Sequence, residues 1–259
     1  MNGFTHLHVH TQYSLLDGTP RIGELLKKGK ELGFTSMAIT DHGVMYGAIE
    51  FYEEALKCGI KPVIGCEVYT APGSRFSRSY GVDSGYGHLI LLCKNKEGYK
   101  NLMTLVSCAF TEGYYYKPRV DMELLRQHSQ GHIALSGSLK GDVSACLVSG
   151  NYDLAKKKAL EYASVFGEDN FYLEIQDHGI EEESVVRQGM KRLSKETGIP
   201  LAATNDVHYI NREDSLVQDV LTCIQTGKKL DDPDRLKFFG SEFYLKSEEE
   251  MLDLFEDEP

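Results

Sequence analysis

A strand that turns a row of imidazoles to one side gives up the apolar burial that normally anchors it, and residues 6–18, HLHVHTQYSLLDG, begin that way. Leu7, Val9 and Thr11 alternate with His6, His8 and His10, a period of two that makes residues 4–11 a strand with the three His on one face. A solvated strand end would explain a single His. A His-x-His pair followed by Asp17 points equally to a metal ion, because same-face imidazoles can offer lone pairs to one cation.

Thr19 and Pro20 then supply the N-cap and first-turn proline of a helix in which Ile22, Leu25, Leu26 and Leu32 recur at helical spacing as far as Gly33. The alternation repeats, with strands expected at 36–40, 62–69, 88–93, 133–136, 171–175 and 201–204 and helices at 48–56, 97–108, 122–128, 142–148, 152–166 and 181–197. A Gly- and Ser-rich excursion at 72–87 and a loop at 111–121 interrupt it. Seven strands separated by helices imply parallel neighbours and right-handed crossovers, in an open sheet or a closed barrel. No GxGxxG turn follows the first strand, so a dinucleotide-binding sheet has little support. The barrel is preferred, since parallel barrels carry active residues at their C-terminal strand ends and this chain places its His, Asp and Glu there.

Those ends collect His8, His10 and Asp17 from the first strand, Asp41 and His42 after SMAIT, Glu67 within KPVIGCEVY, and Asp206 and His208 in LAATNDVHY; Gly43 permits a sharp turn after His42. A carboxylate inside an apolar strand is costly to bury alone, so Glu67 needs a cation. His88 is the awkward member, standing at the start of its strand, GHLILL. Imidazole and carboxylate donors together suit Zn, Mn or Fe, and two or three ions sharing a bridging carboxylate suit phosphate-ester hydrolysis. Asp177 and His178 lie in a turn and are set aside as ligands, His6 is read as structural or supporting, and His128 and His132 as solvated. Asp41 either orients a ligand His or caps a helix.

With 259 residues, 41% apolar and 26% charged, the chain can build one large or two medium soluble domains, and no run approaches the roughly 18 apolar residues of a membrane span. The N-terminus lacks a signal-like pattern, so a cytoplasmic location is expected. Six scattered Cys without a CxxC pair read as reduced core residues. A net charge of -11 argues against a broad nucleic-acid-binding surface. A nucleic-acid substrate would be held through metal ions and a local basic loop, and 114–119, YYYKPR, is either such a loop or a tyrosine cluster packed over the barrel rim.

HLHVHTQYSLLDG, AITDHG, the IGCE strand and TNDVHY resemble the successive motifs of the PHP (polymerase and histidinol phosphatase) family. LLDGTPRIGELL, LCKNKEGYKNL, YYKPRVD, LSGSLKGDV and SEFYLKSEEEM are similar to its branch at the N-terminus of the bacterial DNA polymerase III alpha subunit, and the resemblance covers essentially the whole chain. It implies an α/β fold, a distorted seven-stranded (βα) TIM-like barrel over 1–210, followed at 211–259 by a helical extension and the start of a polymerase domain, with 239–255 as that start. It also implies two or three divalent ions (Zn, Mn or Fe, with Mg possible). His8, His10, Glu67 and Asp206 would hold one; Glu67 would bridge to a second held by His88; Asp17, His42 and His208 would hold a third. Glu67, Asp206 and His208 would carry the catalysis. Ser138 stands where the family usually has Cys or His, and a hydroxyl is the poorer ligand, so weak or absent binding is expected at the second position. The implied activity is a metal-dependent phosphoesterase, a 3′–5′ exonuclease acting on a DNA 3′ end inside a full-length polymerase whose nucleotidyl transfer lies in other domains. Implied partners are the sliding clamp, other replicase subunits and a separate exonuclease, with no membrane. The alternatives are a structural module that docks such an exonuclease and a small-molecule phosphatase.

Overall fold

In the computed structural model, which describes residues 3–256, the apolar runs form strands β1 (Ser36–Ile39), β2 (Lys61–Thr70), β3 (Gly87–Cys93), β4 (Tyr114–Tyr115), β5 (Lys117–Val120), β6 (His132–Leu135), β7 (Phe171–Ile175) and β8 (Leu201–Ala203). The helices are α1 (Ile22–Glu31), α2 (Ala48–Cys58), α3 (Lys96–Thr111), α4 (Met122–Gln127), α5 (Asp142–Val148), α6 (Tyr152–Phe166), α7 (Glu181–Thr197), α8 (Ser215–Thr226) and α9 (Glu248–Leu254). The outermost residues of the two expected domains, 1–2 and 257–259, lie outside the described residues. Among the described residues no helix is long and apolar enough to cross a membrane.

Three local expectations are corrected. Helix α1 starts after Arg21 without a side-chain cap, and Thr19 instead bonds the His208 carbonyl. Residues 4–11 form no regular strand; Val9 makes a single parallel bridge to Val207. The loop 111–121 contains a small antiparallel hairpin, β4 to β5.

The sheet runs β4-β5-β2-β3-β6-β7-β8, with β1 paired to the first half of β2. Its strands are not all parallel, because β3 runs antiparallel to both β2 and β6. No helix forms between β2 and β3. A parallel neighbour needs such a crossover, and without one the chain returns in the opposite direction. The other barrel pairs, β1 with β2, β6 with β7 and β7 with β8, are parallel. Residues 6–10 close the curl by bonding both ways. Val207 N donates to the His8 carbonyl (3.1 Å) and His10 N to the Val207 carbonyl (2.8 Å), while Ala38 N and Thr40 N donate to the His6 and Val9 carbonyls (both 2.9 Å). The result is a distorted barrel of seven extended segments, residues 6–10 together with β1, β2, β3, β6, β7 and β8.

Alternation then decides which side chains enter it. Cys66, Val68, Leu89 and Leu91 pack in the main outer core with residues of α3, α5, α6 and α7. Ile90, Leu92, Ala38 and Leu135 form a separate small cluster inside. Glu67 and His88 share the inward parity of the second set. Met251 and Phe255, from α9 and the residue after it, belong to the same outer core as the barrel helices.

Candidate metal centre

Four backbone features bring polar side chains to one mouth of the barrel. Residues 41–43 prolong β1 along β2, with Gly43 N donating to the Glu67 carbonyl (2.8 Å) and Glu67 N to the Asp41 carbonyl (3.2 Å), which sets His42 beside Glu67. Gly43 has φ of 64°, and a Cβ there would lie 2.9 Å from the Tyr69 ring, so glycine is required twice over. The reversed direction of β3 puts its first residues, rather than its last, at the mouth. His88 pairs opposite Tyr69, which removes the awkwardness of a ligand candidate at a strand start. Asp206, just after β8, takes φ of 44°, a conformation that costs a residue with a Cβ and that clusters at functional sites.

The side chains converge closely. Nε2 of His8 and Nε2 of His10 are 3.1 Å apart, and Asp206 Oδ1 lies 3.1 and 3.2 Å from them. Glu67 Oε2 is 3.6 Å from His8 Nε2, 3.3 Å from His10 Nε2 and 2.6 Å from His42 Nδ1, while Glu67 Oε1 is 2.7 Å from His88 Nδ1. Asp17 Oδ2 joins His42 Nε2 (2.8 Å) and His208 Nε2 (3.7 Å). Three overlapping donor groups result: His8, His10 and Asp206; His42, Glu67 and His88; His10, His42 and His208. All eight residues named from the sequence are therefore in one cluster, and His42 is shared between the neighbourhoods of Glu67 and Asp17.

Two supporting residues were not anticipated. Glu174 on β7 accepts a bond from His8 Nδ1 (2.7 Å), and Ser14 accepts one from His10 Nδ1 (2.9 Å) while donating to Asp41 Oδ1 (2.7 Å). Each bond engages the ring at Nδ1 and so turns Nε2, the atom available to a metal ion, toward the cluster. Asp41 thus orients a histidine at one remove, through Ser14. The signal for Glu174 was available: in FYLEI it stands between buried Leu173 and Ile175, as Glu67 stands between Cys66 and Val68.

The chemistry of the donor set fits divalent cations. Two imidazole nitrogens and a carboxylate oxygen meeting near 3.1 Å need positive charge among them, which a proton on His8 supplies in the metal-free chain and a divalent ion would supply in its place. Glu67 Oε2 and His42 Nδ1 lie within ion-pair distance of each other and Asp206 Oδ1 of His8 Nε2, yet these three atoms and His88 Nε2 are buried without an aligned hydrogen bond among the described residues. The field is correspondingly strong. Burial opposes charge on His8, yet Asp206, Glu174 and Glu67 hold its imidazole well above the ordinary range. Burial likewise opposes charge on His42, but Glu67 and Asp17 raise it to about 9. Burial would raise the carboxyls of Glu67 and Asp206; His88, His42 and His8 around the first, and His8 and His208 around the second, draw them below the usual carboxylate range instead. At His88 burial prevails and the ring is pushed down.

The residues set aside behave variously. His6 Nε2 donates to the Lys246 carbonyl (2.8 Å) and the ring packs edge-on against Phe34, away from the cluster. His178 is held by Glu183 (2.6 Å) and the Asn205 carbonyl (2.9 Å), and Asp177 pairs with Arg187, so both are structural. His132 is not solvated as expected: β6 buries it, with both ring nitrogens unpartnered among the described residues, whereas His128 is half-buried. Ser138 lines the same cavity of about 200 Å³ as Glu67 and His88.

Residues 6–178 match the model of the PHP domain family. The DNA polymerase III subunit alpha of Treponema pallidum is 51% identical over 253 residues, covering 97% of this chain and 22% of that one. The same subunit of Borreliella burgdorferi is 47% identical over 258 residues (99% and 22%), and that of Thermus aquaticus 47% over 252 (96% and 21%). The chain thus spans about a fifth of the length of the curated relatives it matches. Among solved structures, an amidohydrolase from Chromobacterium violaceum aligns with a TM-score of 0.49 at 14% identity, over 79% of this chain and 87% of that one, a distant likeness from which no chemistry follows.

Proposed function

The chain belongs to the PHP domain family, and from that premise we propose that it is a metal-dependent phosphodiesterase acting on the 3′-terminal phosphodiester of DNA, as part of a longer replicative polymerase. The observation that supports this most is the set of ligand-type atoms at the mouth, with Asp206 Oδ1 and Glu67 Oε2 each within 3.6 Å of both His8 Nε2 and His10 Nε2. His8, His10, Asp206 and Glu67 would hold one ion, Glu67, His88 and His42 a second, and Asp17, His42 and His208 a third. Zn, Mn or Fe suit these donors. Bound there, such ions would acidify a water toward attack on phosphorus and neutralise charge on the phosphoryl oxygens.

The chain's own residues do the rest. Glu67 and Asp206 stay ionised in a buried site because several His surround each of them. His208 donates Nδ1–H to the Asp206 carbonyl (2.8 Å), which leaves its Nε2 directed to the Asp17 side of the site. Lys140, exposed and lining the cavity, offers a cation to the phosphate. Leu236, Phe238 and Phe243 line the same cavity and give the sugar and base an apolar surface that excludes water.

Release of label from a 3′-labelled single strand in Mn²⁺ or Zn²⁺ tests the reading against the Asp206→Ala, His208→Ala double variant. Metal-dependent release by the parent and loss in the variant are expected; equal background release from both would overturn it. Ser138 favours a second reading, a catalytically weak module that stabilises the polymerase and docks a separate exonuclease, and that reading expects the background result. Turnover of a phosphomonoester without DNA degradation would instead indicate a small-molecule phosphatase.

A further inference from the structure

The hairpin of β4 and β5 divides its side chains between anchoring and display. Arg119 is fully buried and donates to the carbonyls of Gly113 (3.2 Å), Asp83 (2.5 Å) and Ser77 (2.9 Å), which ties the hairpin to the excursion after β2. Pro118 sits in the space that Gly43 leaves beside His42. From this anchored base a row of rings leads out of the cluster. Tyr86 lies parallel to His88 (5.8 Å between centroids, 10°), Tyr69 lies parallel to His42 (6.0 Å, 16°), the two tyrosines meet edge to face at 5.2 Å, and Lys117 Nζ stands 5.2 Å from the Tyr69 ring.

At the tip, next to Lys117, Tyr116 is 57% exposed with φ of 60°. Glycine would occupy that backbone at lower cost, and an exposed ring there adds little to the core. Within the fold the ring meets the edge of Tyr115 (4.6 Å between centroids), and more than half of the residue faces solvent. The net charge of -11 works against a broad polyanion surface, but interleaved rings beside a local cation match a single strand with planar bases better than they match an apolar protein surface.

We propose that the β4–β5 hairpin, with Tyr69 and Tyr86, is an entry track for single-stranded nucleic acid, in which Tyr116 stacks a base outside the mouth and Lys117 meets a backbone phosphate. The direction of travel rests on the phosphodiesterase reading; the binding does not.

Fluorescence anisotropy of a fluorescein-labelled oligothymidylate about twelve nucleotides long tests it with the 259-residue chain. Tyr116→Gly suits the left-handed backbone and removes the ring without unfolding the hairpin, and is expected to weaken binding roughly 5- to 150-fold, with Tyr116→Trp retaining it. Lys117→Met is expected to reduce the slope of log affinity against log salt by about 0.7. Tyr52→Ala, which removes a comparably exposed ring from α2, serves as the control and is expected to bind as the parent does. Absence of binding by the parent, or parental affinity in Tyr116→Gly, overturns the proposal and leaves the patch to a protein contact. Release of 3′ label with parental affinity in the variant sinks the track and keeps the phosphodiesterase; lost affinity in a chain that releases no label does the reverse.

Discussion

Replacing Glu174 by Gln changes one charge and almost no shape, at a residue that touches the cluster only through His8. Glu174 Oε1 accepts from His8 Nδ1 (2.7 Å), Thr204 Oγ1 (2.5 Å) and Gln176 Nε2 (3.0 Å), and the residue is 2% exposed. A hydrogen bond to a charged acceptor contributes about 1.5–3 kcal/mol and a neutral one about 0.5–1.5, so the His8 bond should weaken by about 1–1.5 kcal/mol. That loss lowers the basicity of Nε2, and with about 1.4 kcal/mol per factor of ten the affinity for a divalent ion should fall roughly 5- to 12-fold. Glu174 Oε2 has no partner among the described residues, so the new amide nitrogen adds a buried unpaired donor and the metal-free variant should also melt slightly earlier. Calorimetric titration of chelator-stripped protein with Mn²⁺, beside circular dichroism to establish an intact fold, separates the two effects. An affinity within twofold of the parent in a folded Glu174→Gln protein would refute the argument that this carboxylate tunes the His8 lone pair.

Three other outcomes are expected. Ser138→Cys places a strong thiolate donor in the cavity that Glu67 and His88 line and should raise bound Zn by about one equivalent in elemental analysis after dialysis; unchanged stoichiometry would remove Ser138 from the site. Gly98→Ala would set a Cβ 1.9 Å from the Gly131 carbonyl oxygen, and the forced backbone shift should cost about 1–3 kcal/mol, read as a lower Tm, whereas a parental Tm would contradict the close approach. Burial lowers the His132 pKa, so the folded chain keeps that ring neutral where the unfolded chain binds a proton. The associated stability is present above about pH 6.5 and is lost as pH falls through the depressed value; His132→Leu should flatten that part of a denaturation-against-pH profile, and an unaltered acid limb would count against it.

Side-chain parity was legible without a structure. Spacing of two puts His8 with His10 and Asp206 with His208, and an acid in an apolar strand marks Glu67, because alternation along a strand is a local property of the backbone. The same rule, applied evenly, would have found Glu174. Parity says nothing of direction or of neighbours. The reversal of β3, which turns His88 from an awkward candidate into a member of the cluster, follows from the helix-free connection after β2 and from pairing on both sides. The burial of His132, the Ser14 link between Asp41 and His10, and the return of Met251 and Phe255 to the outer core depend on segments that meet only when the sheet curls. Local periodicity in this chain determines which face each residue takes; the tertiary fold decides what stands opposite, since long-range pairing is settled by the whole sheet at once rather than by any one strand.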